Sequence, residues 1–233
     1  MLKVKIDPDG YKLTGIIFCC ALILLAGHYI TQWQFLFWCS VFACLLIVFS
    51  LVFFRDPERT GPEDEFACVS AADGIVVDVS HIEAEGFEGS RALRIAVFMN
   101  VFNVHVNRCP LSGKVVKTSH RSGKKLSALN KRAEYENEYG DIDIKTPSGF
   151  IRIRQIAGLI ARRVVTRVEE GDVLNRGERL GIIRFGSRVD VFLPEVFKPV
   201  VNTGDRVLAG ETIIAQPVID ESLTIQKSQK EHT

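Results

Sequence analysis

The dipeptide Gly186-Ser187 has the residue types needed for a side chain to attack its own backbone. It lies inside the run Arg184-Phe185-Gly186-Ser187-Arg188-Val189-Asp190, which has the pattern of a buried strand. A glycine leaves room around its carbonyl, and a serine hydroxyl becomes a nucleophile when a neighbouring base removes its proton. Because a Gly-Ser pair more often marks a turn, the rest of the chain has to decide between these interpretations.

Three polar residues elsewhere are candidates to assist Ser187. They are Asp73, which precedes a glycine, His105 in the segment 102–108, and His120. Asp, His and Ser together could form a hydrolase triad, since triads are defined by geometry and not by chain order. The sequence has no Gly-x-Ser-x-Gly motif to support that alternative.

The N-terminal region has the composition of a membrane segment. No Lys, Arg, Asp or Glu occurs in residues 13–54, where two apolar runs, 13–30 and 33–54, are interrupted by a short polar stretch. Each run is close to the roughly 20 residues that cross a bilayer. Basic residues precede the first run and follow the second, and none lies between them, which places both ends in the cytoplasm.

We therefore predict residues 1–12 as a cytoplasmic N-terminus and 13–54 as a transmembrane helical hairpin in the inner membrane of a bacterial-type cell. Residues 55–233 then form one domain that faces the cytoplasm. Its short runs of Val, Ile and Phe between turn residues predict a mainly β fold with a minor helical part. The predicted strands are 74–79, 93–98, 113–117, 150–156 and 189–193, and weak helical patterns cover 122–138 and 158–165.

An internal repeat indicates the architecture of this domain. The pattern Gly-Asp-x-Val/Leu-x-x-Gly-Glu in residues 168–178 returns in residues 201–211. It resembles the barrel-sandwich of lipoyl and biotinyl domains, so we predict a barrel-sandwich-like β domain. The nearest lysine between the repeats is Lys198, without the flanking residues of a modified hairpin tip. Carriage of lipoate or biotin is therefore disfavoured.

Charge and cysteine content narrow the partners. The net charge of +1 gives no reason to expect nucleic acid binding. Basic residues are concentrated between residues 109 and 133, where they either face anionic headgroups or form a solvated loop. Cys68 and Cys109, the two cysteines outside the hairpin, have no metal-like spacing, and we expect no metal site.

Several short motifs in combination resemble the short, single-chain (type A) phosphatidylserine decarboxylases. The resemblance spans most of residues 50–215, and the apolar hairpin agrees with a lipid substrate. The motifs are Phe54-Arg55-Asp56-Pro57-Glu58-Arg59, Ala72-Asp73-Gly74, Asn103-Val104-His105-Val106-Asn107-Arg108, Gln155-Ile156-Ala157-Gly158 and Arg184-Phe185-Gly186-Ser187-Arg188-Val189-Asp190.

The resemblance implies a proenzyme that cleaves itself between Gly186 and Ser187, converting Ser187 into a pyruvoyl group without a metal. This ketone would form a Schiff base with phosphatidylserine and release phosphatidylethanolamine for phospholipid biosynthesis. Chains 1–186 and 187–233 would stay associated at the membrane lipid, and a homo-oligomer is left open. Two rival classes are a membrane-anchored adaptor and a lipid serine hydrolase, neither of which predicts backbone scission.

The resemblance also implies roles for individual residues. His105 would donate a proton during decarboxylation, Asp73 would orient a histidine during self-cleavage, and either His105 or His120 would be the base. Arg108 stands where longer relatives have a second histidine. It could bind the substrate phosphate or carboxylate, with Asn103 and Asn107 as further binding residues, or form an ordinary surface salt bridge.

Overall fold

Two long helices precede a β domain in this computed structural model, which describes residues 4–124, 126–130, 132–159, 163–184 and 186–218. The helices are α1 Pro8–Thr31, α2 Gln34–Phe53 and the single turn α3 Ala133–Glu136, with a 3-10 turn at Glu88–Ser90. The strands are β1 Val4–Ile6, β2 Arg55–Pro57, β3 Cys68–Val69, β4 Gly74–Glu83, β5 Arg91–Met99, β6 Val106–Arg108, β7 Gly113–Arg121, β8 Tyr139–Thr146, β9 Gly149–Ala157, β10 Val164–Thr166, β11 Val173–Leu174, β12 Arg179–Ile183, β13 Ser187–Leu193, β14 Phe197–Pro199, β15 Arg206–Val207 and β16 Ile213–Pro217.

An antiparallel sheet of eight strands, in the order β11-β7-β8-β9-β13-β5-β4-β15, forms a curled half-barrel. Its inward side chains pack with those of two three-stranded sheets, β10-β12-β6 and β14-β16-β3, in one hydrophobic core. The five predicted strands lie within β4, β5, β7, β9 and β13, because alternating apolar residues bury one face of each strand. The mainly β prediction is confirmed.

The helical predictions are wrong for most of their length. Among the described residues of 122–138, which exclude 125 and 131, only Ala133–Glu136 is helical. Part of 158–165 is strand β10, with 160–162 outside the described residues. The buried side chain of Asn137 accepts from the Leu126 amide and donates to the Leu126 carbonyl, both at 2.8 Å. These bonds, across eleven residues, satisfy the backbone of Leu126 without a helix.

The repeat forms equivalent turns at opposite edges of the half-barrel. In the first copy the Gly171 amide donates to the Val115 carbonyl of β7, and the short strand β11 follows. In the second copy the Gly204 amide donates to the Val76 carbonyl of β4, and the short strand β15 follows. Both glycines have a φ of 102°. The predicted internal repeat is therefore a structural one that adds a two-residue strand to each edge.

The helical hairpin is joined to the β domain at both of its ends. Strands β1 and β2 pair just before α1 and just after α2, so the two ends lie side by side. Arg167 of the β domain also bonds both carboxylate oxygens of Asp7, the N-cap of α1. By length and composition, α1 and α2 are both apolar enough to cross a membrane, with mean hydropathies of 2.1 and 2.7.

The repeat glycines give a matched pair for a stability test. We expect Gly171→Ala and Gly204→Ala each to lower the free energy of unfolding by about 1–2 kcal/mol, because a Cβ is strained at positive φ. Urea denaturation of the full chain in detergent measures the loss. Because the two turns are equivalent, the two losses should be similar. An unchanged urea midpoint for either variant would contradict the expected backbone strain.

Candidate active site

Ser187 lies in the middle of the eight-stranded sheet, not at its surface. As the first residue of β13, it pairs with Met99 of β5 on one side and Ala157 of β9 on the other. The residue is fully buried, and its Oγ has no hydrogen-bond partner among the described residues. A buried hydroxyl left without a partner is unusual, and such groups often have a chemical role.

The peptide bond before Ser187 is held by two glycines. Gly186 has a φ of 58°, which favours glycine, and there is open space where its side chain would stand. Gly158 packs against the other side of this residue: a Cβ on Gly158 would lie 2.0 Å from the Gly186 carbonyl oxygen. The carbonyl that Ser187 would attack is therefore positioned by backbone contact.

His105 is fully buried and belongs to the same end of the sheet. Its Nδ1 donates to the Asn103 carbonyl at 3.0 Å. The Nε2 has no hydrogen-bond partner in the part of the chain that the structure describes and is able to accept a proton. The ring stacks on Phe53, the last residue of α2, with centroids 4.1 Å apart. Burial, opposed by the Asn103 hydrogen bond and aided by the charge of Arg55, lowers the pKa of His105 to about 4.

Asp73 is a neighbour of the strand row that contains Ser187. It precedes Gly74, the first residue of β4. The register of β4 and β5 puts Gly74 opposite Met99, which pairs with Ser187. Two strand spacings, about 10 Å, therefore separate this row position from Ser187. The Asp73 carboxylate bonds the Arg59 guanidinium at 2.7 Å and the Ala209 amide at 2.8 Å, and burial raises its pKa.

The described hydrogen bonds of Asp73 do not include one to His105, so the predicted role of Asp73 in orienting a histidine stays a prediction. Burial is the main cause of both pKa shifts; the charge of Arg55 opposes the rise in the pKa of Asp73 and adds to the fall in the pKa of His105.

Arg108 is engaged by the protein itself. Its guanidinium donates to the Asp56 carboxylate at 2.7 Å and to the carbonyls of Pro57 and Gly177, both at 2.9 Å. The arrangement favours an ion pair over substrate binding, and the pair is buried, not on the surface as the sequence alternative supposed.

The two asparagines predicted to bind substrate also have internal contacts. Asn103 accepts from the Asn100 amide and orients His105 through its carbonyl. Asn107 accepts from Gln155 at 2.8 Å and donates to the Met99 sulfur at 3.7 Å. Both contacts help to position the surroundings of Ser187.

His120 lies apart from this group. It is on β7, three strands from β13, with about half of its side chain exposed and its Nε2 3.5 Å from Glu138. Strands β8 and β9 lie between β7 and β13, so three strand spacings, about 14 Å, separate the strand of His120 from that of Ser187. His120 therefore lies well away from Ser187 within the sheet.

The face of β13 that points away from the core has charged side chains whose contacts the sequence did not predict. Arg188 bonds Asp190 two residues further on, and Glu134 bonds both Arg188 and Arg94 of β5. Burial raises the pKa of Asp190 to about 6, with Arg188 opposing that shift. This buried network covers the sheet behind Ser187, and the alternation of charged and apolar residues in 187–191 was the available signal.

Phe53 and Gly158 were also missed as site residues. Phe53 was counted only as part of an apolar run, and Gly158 only as part of a motif. In the part of the chain that the structure describes, no cluster of three or more His, Cys, Asp or Glu residues could hold a metal ion.

Comparison with known proteins identifies relatives over most of the chain. The family model of phosphatidylserine decarboxylase matches residues 46–215. The phosphatidylserine decarboxylase proenzyme of Pelobacter propionicus is 48% identical over 178 residues, covering 76% of this chain and 80% of the relative. The proenzymes of Oleidesulfovibrio alaskensis and Geobacter metallireducens are 46% and 43% identical, each covering 91% of this chain and 94% and 96% of the relative.

Fold and site together define a β protein with a buried serine after a left-handed glycine, joined to a helical hairpin. The length of the family match and the sequence identities with these relatives identify one family. The chain belongs to the phosphatidylserine decarboxylase family.

The contact of Gly158 with the Gly186 carbonyl can be tested by adding one methyl group. Gly158→Ala is expected to slow cleavage before Ser187 by roughly a hundredfold, because a displacement of about 1 Å in a reacting group has an effect of that size. The decay of the full-length band during cell-free synthesis in membranes measures the rate. Gly204→Ala, which strains a distant turn, is the control and should cleave normally; equal rates for both variants would contradict this role.

The stacking of Phe53 on His105 predicts a change in pH dependence. A neutral base is active above its pKa, so wild-type cleavage should be independent of pH between 5 and 8, because the pKa of His105 is about 4. Phe53→Leu exposes the ring and raises that pKa towards 6.5, so cleavage should decline below about pH 6.5. Rates of cell-free cleavage across this range measure the effect. Phe42→Leu, at an exposed position of α2, should keep the wild-type profile.

Proposed function

We propose that this chain is a proenzyme that cleaves itself before Ser187 and then decarboxylates phosphatidylserine to phosphatidylethanolamine in phospholipid biosynthesis. One observation carries the proposal: in a chain of this family, a buried serine hydroxyl with no hydrogen-bond partner among the described residues directly follows a glycine of left-handed conformation. The relatives named above are described as proenzymes, which agrees with cleavage of the backbone.

Self-cleavage begins when the Oγ of Ser187 attacks the carbonyl carbon of Gly186 and its proton passes to a base. The peptide C–N bond then breaks, the nitrogen takes up the proton, and an ester joins the two residues. Loss of the Ser187 Cα proton breaks the Cβ–O bond, so that Gly186 leaves as a carboxylate. One water then replaces the nitrogen, which departs as ammonia, and a ketone remains on residue 187.

The residues present fit the formation of this pyruvoyl group. Gly186 and Gly158 leave the attacked carbonyl accessible and fixed, and the Nε2 of His105 is a neutral acceptor. The pyruvoyl group supplies an electron sink for the pair of electrons released as carbon dioxide leaves. A proton taken up by His105 is held weakly because of the lowered pKa, which favours its onward donation to the substrate carbon.

The two cleaved chains stay together because the cut precedes a central strand. Strand β13 belongs to the segment 187–233 and bonds β9 and β5 of the segment 1–186 along almost its whole length. Strands β14, β15 and β16 of the same segment pair with each other or with β3 and β4. Separation would expose this core, and burial of its apolar area opposes that.

The helical hairpin holds the enzyme on the membrane that contains its substrate. Its two ends adjoin the β domain on one side, and the basic residues near both ends support a cytoplasmic location for that side.

Intact mass spectrometry of wild type and Ser187→Ala tests the proposal. Wild type should give chains 1–186 and 187–233, the second lacking the mass of one ammonia relative to a serine N-terminus. Ser187→Ala should stay whole and release no carbon dioxide from phosphatidylserine. Ser119→Ala, which removes an exposed hydroxyl of β7, should cleave and act as wild type does.

Two outcomes would favour other functions. A wild-type chain that stays whole but hydrolyses lipid esters, with loss of that activity in Ser187→Ala, would favour the serine hydrolase. A whole chain with neither activity would favour the membrane adaptor.

A further inference from the structure

The connection between β5 and β6 contains a tight turn at residues 100–104. The Asn100 side chain accepts from the Phe102 amide at 2.9 Å, and the Asn103 side chain accepts from the Asn100 amide at the same distance. The Asn103 amide also donates to the Asn100 carbonyl. Two asparagines therefore fix the turn, and the Phe102 side chain projects from it with 70% of its surface exposed.

One guanidinium connects this turn to the end of the helical hairpin. The Nη1 of Arg55 donates to the Val52 carbonyl near the end of α2, and the Nη2 donates to the Phe102 carbonyl, both at 2.6 Å. Arg55 is the first charged residue after the apolar run. Arginine at the end of a membrane helix lies at headgroup depth, and aromatic rings favour the same region. The exposed ring of Phe102 is thus held close to the end of α2, at the depth where this helix would leave the bilayer.

The opposite side of the turn contacts the candidate active site. The Asn103 carbonyl accepts from His105, whose ring stacks on Phe53 of α2. Val104 packs with Phe53 and Phe54 in a small buried cluster. A displacement of the turn would therefore move the imidazole.

We propose that the turn at residues 100–104 is a membrane-contacting loop, in which Phe102 enters the interfacial region of the bilayer that holds the hairpin. The partner is the lipid surface, because the hairpin that traverses it ends next to this turn. The contact sets His105 at the depth of the lipid headgroups, where a phospholipid substrate presents its carboxylate. This role of the loop rests on the membrane placement proposed above.

Quenching of tryptophan fluorescence by lipids with brominated acyl chains tests the contact. In a chain whose Trp33 and Trp38 are replaced by Phe, one tryptophan is introduced as Phe102→Trp, or as Val196→Trp for the control. Val196 is also an exposed apolar residue, but it follows the far end of β13, about 20 Å from Ser187 along the strand. A third chain keeps Trp33 as its single tryptophan, and quenching of Trp33 shows that the hairpin is inserted.

The proposal expects strong quenching of the tryptophans at positions 102 and 33 and little at 196. Quenching at 33 without quenching at 102, or equal quenching at 102 and 196, would overturn it. Since the measurement requires no turnover, it can also be made in a Ser187→Ala background. Its failure is then distinct from failure of the proposed decarboxylase.

A kinetic measurement gives a second readout. We expect Phe102→Ser to raise the vesicle concentration of phosphatidylserine needed for half-maximal rate by about tenfold, because an apolar ring no longer enters the bilayer. The rate with a short-chain, water-soluble phosphatidylserine should stay at its wild-type value, and Val196→Ser should change neither. Equal loss with both substrates would assign Phe102 a structural role and overturn the membrane contact.

Discussion

The pairing of strand β13 on both of its edges is the constraint on which the site depends. Because β5 and β9 hold its first residue from either side, the Ser187 hydroxyl is buried and points into the core with Val189 and Val191. A strand in this place cannot shift by one residue without turning Arg188 and Asp190 into that core. The sheet thus determines which side chain can reach the Gly186 carbonyl.

The helical hairpin forms part of the wall of the candidate site. Phe53 covers His105, and burial by such apolar neighbours outweighs the hydrogen bond from Nδ1, so that the imidazole is neutral at physiological pH. On the other face of the sheet, buried charges remain paired because Arg188, Asp190 and Glu134 compensate one another. An apolar environment therefore keeps the imidazole neutral, whereas ion pairs maintain the charged network on β13.

Local patterns predicted much of this architecture. The strands, the apolar hairpin and the repeat were readable because alternation, a long charge-free run and paired glycines each reflect contacts close in sequence. The helical prediction for 122–138 failed because Asn137 satisfies the backbone of Leu126, eleven residues away, and no spacing rule anticipates that bond. The contacts of Arg108 with Asp56 and Gly177 likewise join distant segments.

By itself, the sequence determined the residue types of the site, Gly186, Ser187, Asp73 and His105, and the presence of a segment able to enter a membrane. Only the tertiary structure decided that His105 lies under Phe53 while His120 lies on strand β7, and that Gly158 abuts the Gly186 carbonyl. The physical reason is that burial and atomic contact arise from packing between distant segments, whereas periodicity and composition describe each segment alone.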